Sequence, residues 1–331
     1  MTSEMTYVTT ASRKFANVFA VWLVIRSWIS RTESTTGANA AAETSGAAWT
    51  SAMDAEDASR TAATVTTTTR RRTKTMNNDL EALANEAKSK AYCPKSNHQV
   101  GCAGVGRSGQ IYLGCNVELP HATQHAEQVM LAQAALAGDV VERVYLTCSP
   151  CGNCRQALYE HNLTMGIKFD GMDHWCSDFG NIEYFLREAY QRKNDYTPPA
   201  YVQHENLLID KANYALSTCQ AYRSGVAEAC AIEALDGRIF AAARNEWCSY
   251  PGDAFTLAFG AMALAYSGMF MFGPKEVYFC GSNLAQQQTS PAWIGPLLSI
   301  VQLWPKCNVW FDDKRWSSEM IASMAIYRAM R

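Results

Sequence analysis

Three side chains set the first chemical question: His125, and the pair Cys151 and Cys154 within SPCGNCRQ (Ser149 to Gln156). One imidazole and two thiols are borderline-to-soft donors, a set suited to zinc. A C-x-x-C alone is open to three readings: a redox pair, half of a structural zinc site, or two buried thiols. His125 narrows them. It precedes Cys151 by 26 positions (151 − 125), room for a helix and a returning strand, so both residues fall at helix N-termini on one sheet edge. Three protein ligands leave the fourth tetrahedral position open to water, the catalytic arrangement. Helix N-termini favour thiolates through the backbone dipole. Glu127 falls near that open position, and Arg155 is placed to donate to a ligand sulfur.

The elements that must position these residues follow from periodicity. QHAEQVMLAQAALAG (Gln124 to Gly138) reads as a helix stopped by glycine. ERVYLTCS (Glu142 to Ser149) reads as a buried strand, CGNCRQALYEH (Cys151 to His161) as a second helix and TMGIKFD (Thr164 to Asp170) as a further strand. Upstream, His98 to Glu118 gives two strands around a turn at Arg107–Gly109. The order β-β-α-β-α-β predicts an α/β fold, a mixed sheet with helices packed on it.

Residues 206–331 read as a degenerate copy of residues 76–170, joined by a linker over 171–205. GRIF (Gly237 to Phe240) matches GQIY (Gly109 to Tyr112), and EVYF (Glu276 to Phe279) matches RVYL (Arg143 to Leu146), at a period of roughly 130 residues. Aligning ALA at 135–137 with ALA at 263–265 puts Asp253 at the position of His125 and Phe255 at that of Glu127. Cys151 and Cys154 fall on Leu284 and Gln287, so the copy has no ligand set.

Residues 1–75 differ from the rest. FANVFAVWLVI (Phe15 to Ile25) is apolar but shorter than the roughly 20 residues a bilayer span needs, and reads as a signal core or organelle presequence. From about Glu33 to Thr75 the chain is rich in Thr, Ala and Ser and is expected to be disordered. Met76 is an alternative start. The 331 residues carry a net charge of −2, which argues against a nucleic-acid or anionic-membrane partner. The 12 cysteines form no disulfide framework and point to a reducing compartment, the cytosol by default and an organelle if the N-terminal segment is an address.

H-x-E followed by P-C-x-x-C is the signature of zinc deaminases, in which the metal activates water for attack on a ring carbon and the glutamate moves protons. On the segments GQIYLGCNVELP, HAEQ and SPCGNCRQ, with YALSTCQAYRSGVA and DGRIFAAARNE in the second half, the chain resembles the cytidine deaminases of nucleoside salvage. The likeness runs from about Met76 to Arg331 and is greatest to the two-domain, homodimeric type. It implies a three-layer sandwich, duplicated, with one zinc per chain on His125, Cys151 and Cys154 and with Glu127 as acid/base. It also implies that Asn116 and Glu118 bind the ribose, and that backbone groups near Ala126 and Ser149–Cys151 contact the pyrimidine. The second half would then be a scaffold that helps close a partner's site. His98 stands where the family usually has a base-stacking aromatic. The expected reaction is hydrolysis of cytidine or 2′-deoxycytidine to the uridine nucleoside and ammonia. Competing readings are a deoxycytidylate or polynucleotide deaminase, and a zinc-stabilised module without turnover.

Overall fold

In the computed structural model, the described residues are 79–171, 180–186, 196–247, 251–266, 273–281, 291–311, 314–317 and 320–321. The N-terminal segment, and the stretch with Leu284 and Gln287, lie outside them. Residues 78–325 form one compact unit.

The chain enters as a helix over 79–89 (α1). Strands β1 (Gly101–Gly106) and β2 (Ile111–Cys115) form an antiparallel hairpin that turns through Gly109 at positive φ. Two short strands follow, β3 (Val117–Glu118) and β4 (Thr123–Gln124), paired with each other. Helix α2 (Ala126–Leu136) leads to β5 (Val141–Leu146), helix α3 (Gly152–His161) to β6 (Gly166–Phe169), and β7 (Gly180–Asn181) closes the first sheet. The strand order is β2-β1-β5-β6-β7, with β5 and β6 parallel and the other pairs antiparallel. The parallel pair is joined through α3, as a crossover must be.

Alternating residues divide the sheet between two helical layers. On one face Ala103, Val105 and Tyr145 bury Leu80 and Ala84 of α1. On the other, Cys102, Val144 and Leu146 belong to the core that takes in Val129 and Met130 of α2 and Leu158 of α3. The result is the expected three-layer α/β sandwich.

The second half repeats this plan. Helix α4 (Leu207–Leu216) is followed by β8 (Glu228–Ala234), β9 (Ile239–Ala243), β10 (Asn245–Glu246), β11 (Pro251–Gly252) and helix α5 (Ala254–Ala265). Then come β12 (Pro274–Gly281), helix α6 (Pro291–Leu303), β13 (Asn308–Phe311) and β14 (Lys314–Trp316). Its sheet order, β14-β13-β12-β8-β9, is the first order read from the other end. From β2 to the start of α2, and from β9 to the start of α5, every boundary shifts by 128 residues (239 − 111, 245 − 117, 251 − 123, 254 − 126). By the next strand the shift is 133, since Arg143 and Glu276 hold equivalent registers against β1 and β8. The second half is therefore five residues longer between the start of α5 and β12.

The two halves share one hydrophobic core. Helices α2 and α5 pack against each other, and a Cβ on Gly260 would lie 2.6 Å from a Val129 methyl. Glycine at that position lets the two helices approach closely. Helix α5 also packs against β3 and β4 of the first half.

Candidate active site

Strand β2 and helix α2 fix the first part of the site. A Cβ on Gly114 would sit 1.9 Å from the Ala126 carbonyl oxygen, so only glycine lets the first turn of α2 rest on the strand. That contact sets the height of His125, the N-cap of α2, and of Glu127 in its first turn. The Gln128 side chain accepts from the His125 backbone N–H at 3.1 Å and fixes the entry of the chain. One strand later, Cys151 is the N-cap of α3 and Cys154 lies in its first turn. The two helix N-termini meet: Nδ1 of His125 lies 3.5 Å from Sγ of Cys151 and 3.3 Å from Sγ of Cys154.

The three donor atoms lie within 4.8 Å of one another, close enough to share one metal ion. Their chemistry, one imidazole and two thiols at helix N-termini, fits zinc. Without metal, the hydrogen bond from Cys154 pulls the Cys151 thiol down to about 5, while Cys154 keeps its proton and is pushed up. Glu127 is 2% exposed, and burial raises its carboxyl above the ordinary range. A carboxyl that holds a proton more readily is suited to both taking and returning one.

A cavity of about 360 Å³ opens over this group. His98, Asn116, Glu118, His125, Glu127 and Cys151 are among the residues that line it. Cys154 is buried beneath, with its side chain fully enclosed. Ala126 is fully enclosed and is not among the residues that line the cavity. Glu118 accepts from the Lys95 N–H at 2.8 Å, the Ser96 N–H at 3.0 Å and the Ser96 hydroxyl. Burial raises its carboxyl, but these donors outweigh burial and hold it below the ordinary value, so it is an anion at neutral pH.

Asn116 is more committed than expected. Its Oδ1 accepts from the Val100 N–H at 2.7 Å and its Nδ2 donates to the His98 carbonyl at 2.8 Å. The amide thus braces residues 98–100 against the strand, and it also hydrogen-bonds the Cys93 thiol. Arg155 departs from expectation: its Nε donates to the Pro150 carbonyl at 2.9 Å and Nη2 to the Ser149 hydroxyl at 3.5 Å. It fixes the loop before Cys151, not a ligand sulfur.

Ser96, Val100, Thr123, Cys148 and Ser149 complete the wall. Of these, Ser96, Val100, Thr123 and Cys148 were not among the candidates. The motif neighbourhood offered a signal for Cys148, which sits just before SPC; Thr123 had none.

The family model for the cytidine and deoxycytidylate deaminase zinc-binding region matches residues 74–167, which contain all of these side chains. Cytidine deaminase 3 of Arabidopsis thaliana is 31% identical over 188 residues, covering 52% of this chain and 80% of that protein. A cytidine deaminase of Shewanella pealeana is 41% identical over 91 residues, 26% of this chain and 30% of that one. The solved cytidine deaminase of Mycobacterium tuberculosis is 28% identical, covers 35% of this chain and 97% of that chain, and superposes with a TM-score of 0.31. With the zinc-binding region matched across the site, and a relative of this identity covered over four-fifths of its length, the chain belongs to the cytidine deaminase family.

Proposed function

We propose that the protein hydrolyses cytidine and 2′-deoxycytidine to uridine and 2′-deoxyuridine plus ammonia, as a salvage enzyme acting on a cyclic amidine. The observation that carries this reading is the buried Glu127 carboxyl beside the cluster of His125, Cys151 and Cys154, on the floor of a cavity whose wall bears the Glu118 anion.

His125, Cys151 and Cys154 would hold one zinc ion per chain, leaving one position open. Zinc bound there supplies a Lewis acid that makes water nucleophilic near neutral pH. Glu127 takes the proton from that water and delivers it to N3 of the pyrimidine, which makes C4 electrophilic. It then carries a second proton to the departing 4-amino group. Glu118 accepts from the ribose 3′-hydroxyl. A fixed, buried carboxylate discriminates against a sugar that lacks this hydroxyl and against one that carries a 3′-phosphate. Asn116, on the same wall, contacts the same sugar. His98 lies exposed on the cavity wall, in reach of the base, and the family likeness implies pyrimidine contacts from the backbone near Ala126 and Ser149–Cys151.

Nucleoside is favoured over nucleotide because no Lys or Arg is among the residues lining the cavity. The nearby Lys95 ammonium is engaged by the Leu119 carbonyl at 2.6 Å. Among the described residues lining the cavity, a phosphate would meet no cation. A homodimer in the cytosol is part of the same reading. The family likeness supports the dimer, and cysteine spacing that forms no disulfide framework supports a reducing compartment. No helix among the described residues is long and apolar enough to cross a membrane.

The test is the fall in ultraviolet absorbance when the zinc-loaded full chain meets cytidine, beside deoxycytidylate and a cytosine-containing oligonucleotide. Turnover of cytidine alone, or with 2′-deoxycytidine, supports the reading. Turnover of deoxycytidylate in its place moves the substrate to the nucleotide, and inert zinc-loaded protein leaves the non-catalytic module.

A further inference from the structure

The turn between β3 and β4, Leu119 to Ala122, is closed by a bond from the Leu119 N–H to the Ala122 carbonyl at 2.9 Å. The strand on one side of it carries Glu118, and the strand on the other carries Thr123 and leads into His125. His121, at the tip, reaches out of the first half. Its Nδ1 lies 2.6 Å from Oγ of Ser299 on α6, and its Nε2 lies 3.2 Å from Oγ1 of Thr256 on α5. Nε2 is also 3.6 Å from Oδ2 of Asp253, the residue standing where the second half would have its own metal-binding histidine. Ser299 and Thr256 are fully enclosed, and the His121 side chain is only 12% exposed, so solvent competes weakly for these bonds.

The second half is shaped to receive this ring. A Cβ on Gly295 of α6 would come within 3.0–3.2 Å of three His121 atoms. Phe255, at the position of Glu127, lies against the ring with centroids 6.4 Å apart. The vestigial site has thus become a socket, floored by Phe255 and ringed by Asp253, Thr256 and Ser299.

We infer that His121 is a positioning residue for nucleoside binding: by docking the β3–β4 turn into the second half, it sets where the Glu118 carboxylate stands over the metal cluster. The inference rests on the reading of Glu118 as the partner of the 3′-hydroxyl. Lys95 holds the same turn through the Leu119 carbonyl, and His121 is the side chain of the turn that, among the described residues, hydrogen-bonds the scaffold half. Loss of the imidazole takes a partner from the buried Ser299 and Thr256 hydroxyls and lets the turn drift.

The experiment compares His121→Ala and His121→Gln with the wild-type chain, using cytidine and 3′-deoxycytidine. His121→Ala is expected to raise KM for cytidine about tenfold with kcat within about twofold, the mark of lost ground-state positioning. The preference for cytidine over 3′-deoxycytidine should collapse, and His121→Gln, which can still bond both hydroxyls, should recover much of it. A role limited to stability lowers the melting temperature and leaves that preference unchanged, which would overturn the inference. Amide hydrogen exchange over 117–124 gives a readout that needs no activity. Faster exchange confined to this hairpin in His121→Ala supports the docking role, and unchanged exchange overturns it. Should the wild-type chain not turn over cytidine, the functional reading fails by itself, and exchange alone decides for His121.

Discussion

Glu118 and Glu246 stand 128 positions apart (246 − 118) and are held by the same donors, yet one faces a cavity and the other a guanidinium. Glu246 accepts from the Arg223 and Ser224 N–H groups and the Ser224 hydroxyl, as Glu118 does from Lys95 and Ser96. Even the left-handed residue of the turn is copied, Asn97 in one half and Gly225 in the other. The cradle is therefore a product of backbone geometry and survives duplication. What differs is a handful of side chains. Arg244 stands at the position of Asn116 and donates to Glu246 at 2.8 Å and to Glu228 at 3.3 Å. Glu228 stands where the first half has Val100. A buried cation between two carboxylates is a structural solution, and an amide beside one carboxylate leaves a polar wall for a ligand. The comparison separates fold from chemistry within a single chain.

The sharpest way to test it is at the positions that differ most. Glu127→Gln should cut turnover by about 10²–10⁴ while zinc content, read by metal analysis, stays at one per chain. At the position of Asn116, Arg244→Ala should cost about 3 kcal/mol in urea unfolding, because it strands two buried carboxylates, and should leave KM for cytidine nearly unchanged. Asn116→Ala is expected to do the reverse in emphasis, with a KM rise that exceeds its stability loss.

Acidity divides the halves in a second way. Glu118 and Glu246 have lowered carboxyls, so the stability they contribute is present above the ordinary value of 4.5 and is lost as pH falls below it. Glu228 is opposite: burial pushes it up to about 7, so its contribution is present below 4.5 and is lost as pH rises toward about 7. Urea midpoints should therefore fall on both sides of a weakly acidic optimum, and Glu228→Gln should flatten only the limb between about 4.5 and about 7. If Glu118 binds the 3′-hydroxyl as proposed, KM for cytidine should rise only below about 4.5. The smallest effects are expected from the matched pair Ser96→Ala and Ser224→Ala. Each should lose about 1 kcal/mol of stability, and only the first should change KM.

Much of this was legible from residue types. The helices bearing His125 and Cys151 showed their periodicity and caps, and the strands of the two sheets showed their apolar runs. Strands β3 and β4 were not legible, since two residues carry no period. Their pairing depends on the turn at Leu119–Ala122 and on contacts from α5. His121 was invisible for a related reason. Its partners lie 135 and 178 positions away, and no local pattern announces a bond to Thr256 or Ser299. The role of Arg155 was misjudged because a guanidinium beside a thiolate invites a charge argument, whereas the nearer Pro150 carbonyl takes the bond. Ser96 was recoverable in principle, since the 128-residue offset that relates Glu118 to Glu246 also pairs it with Ser224.

The close seating of α2 on α5, Val129 against Gly260, has a kinetic meaning. Two separate copies of such a domain would meet by collision and part on dilution. Here one chain carries both, so the encounter is intramolecular and its effective concentration is set by the connection, not by how much protein the cell makes. The catalytic half keeps its companion at nanomolar abundance as surely as at millimolar.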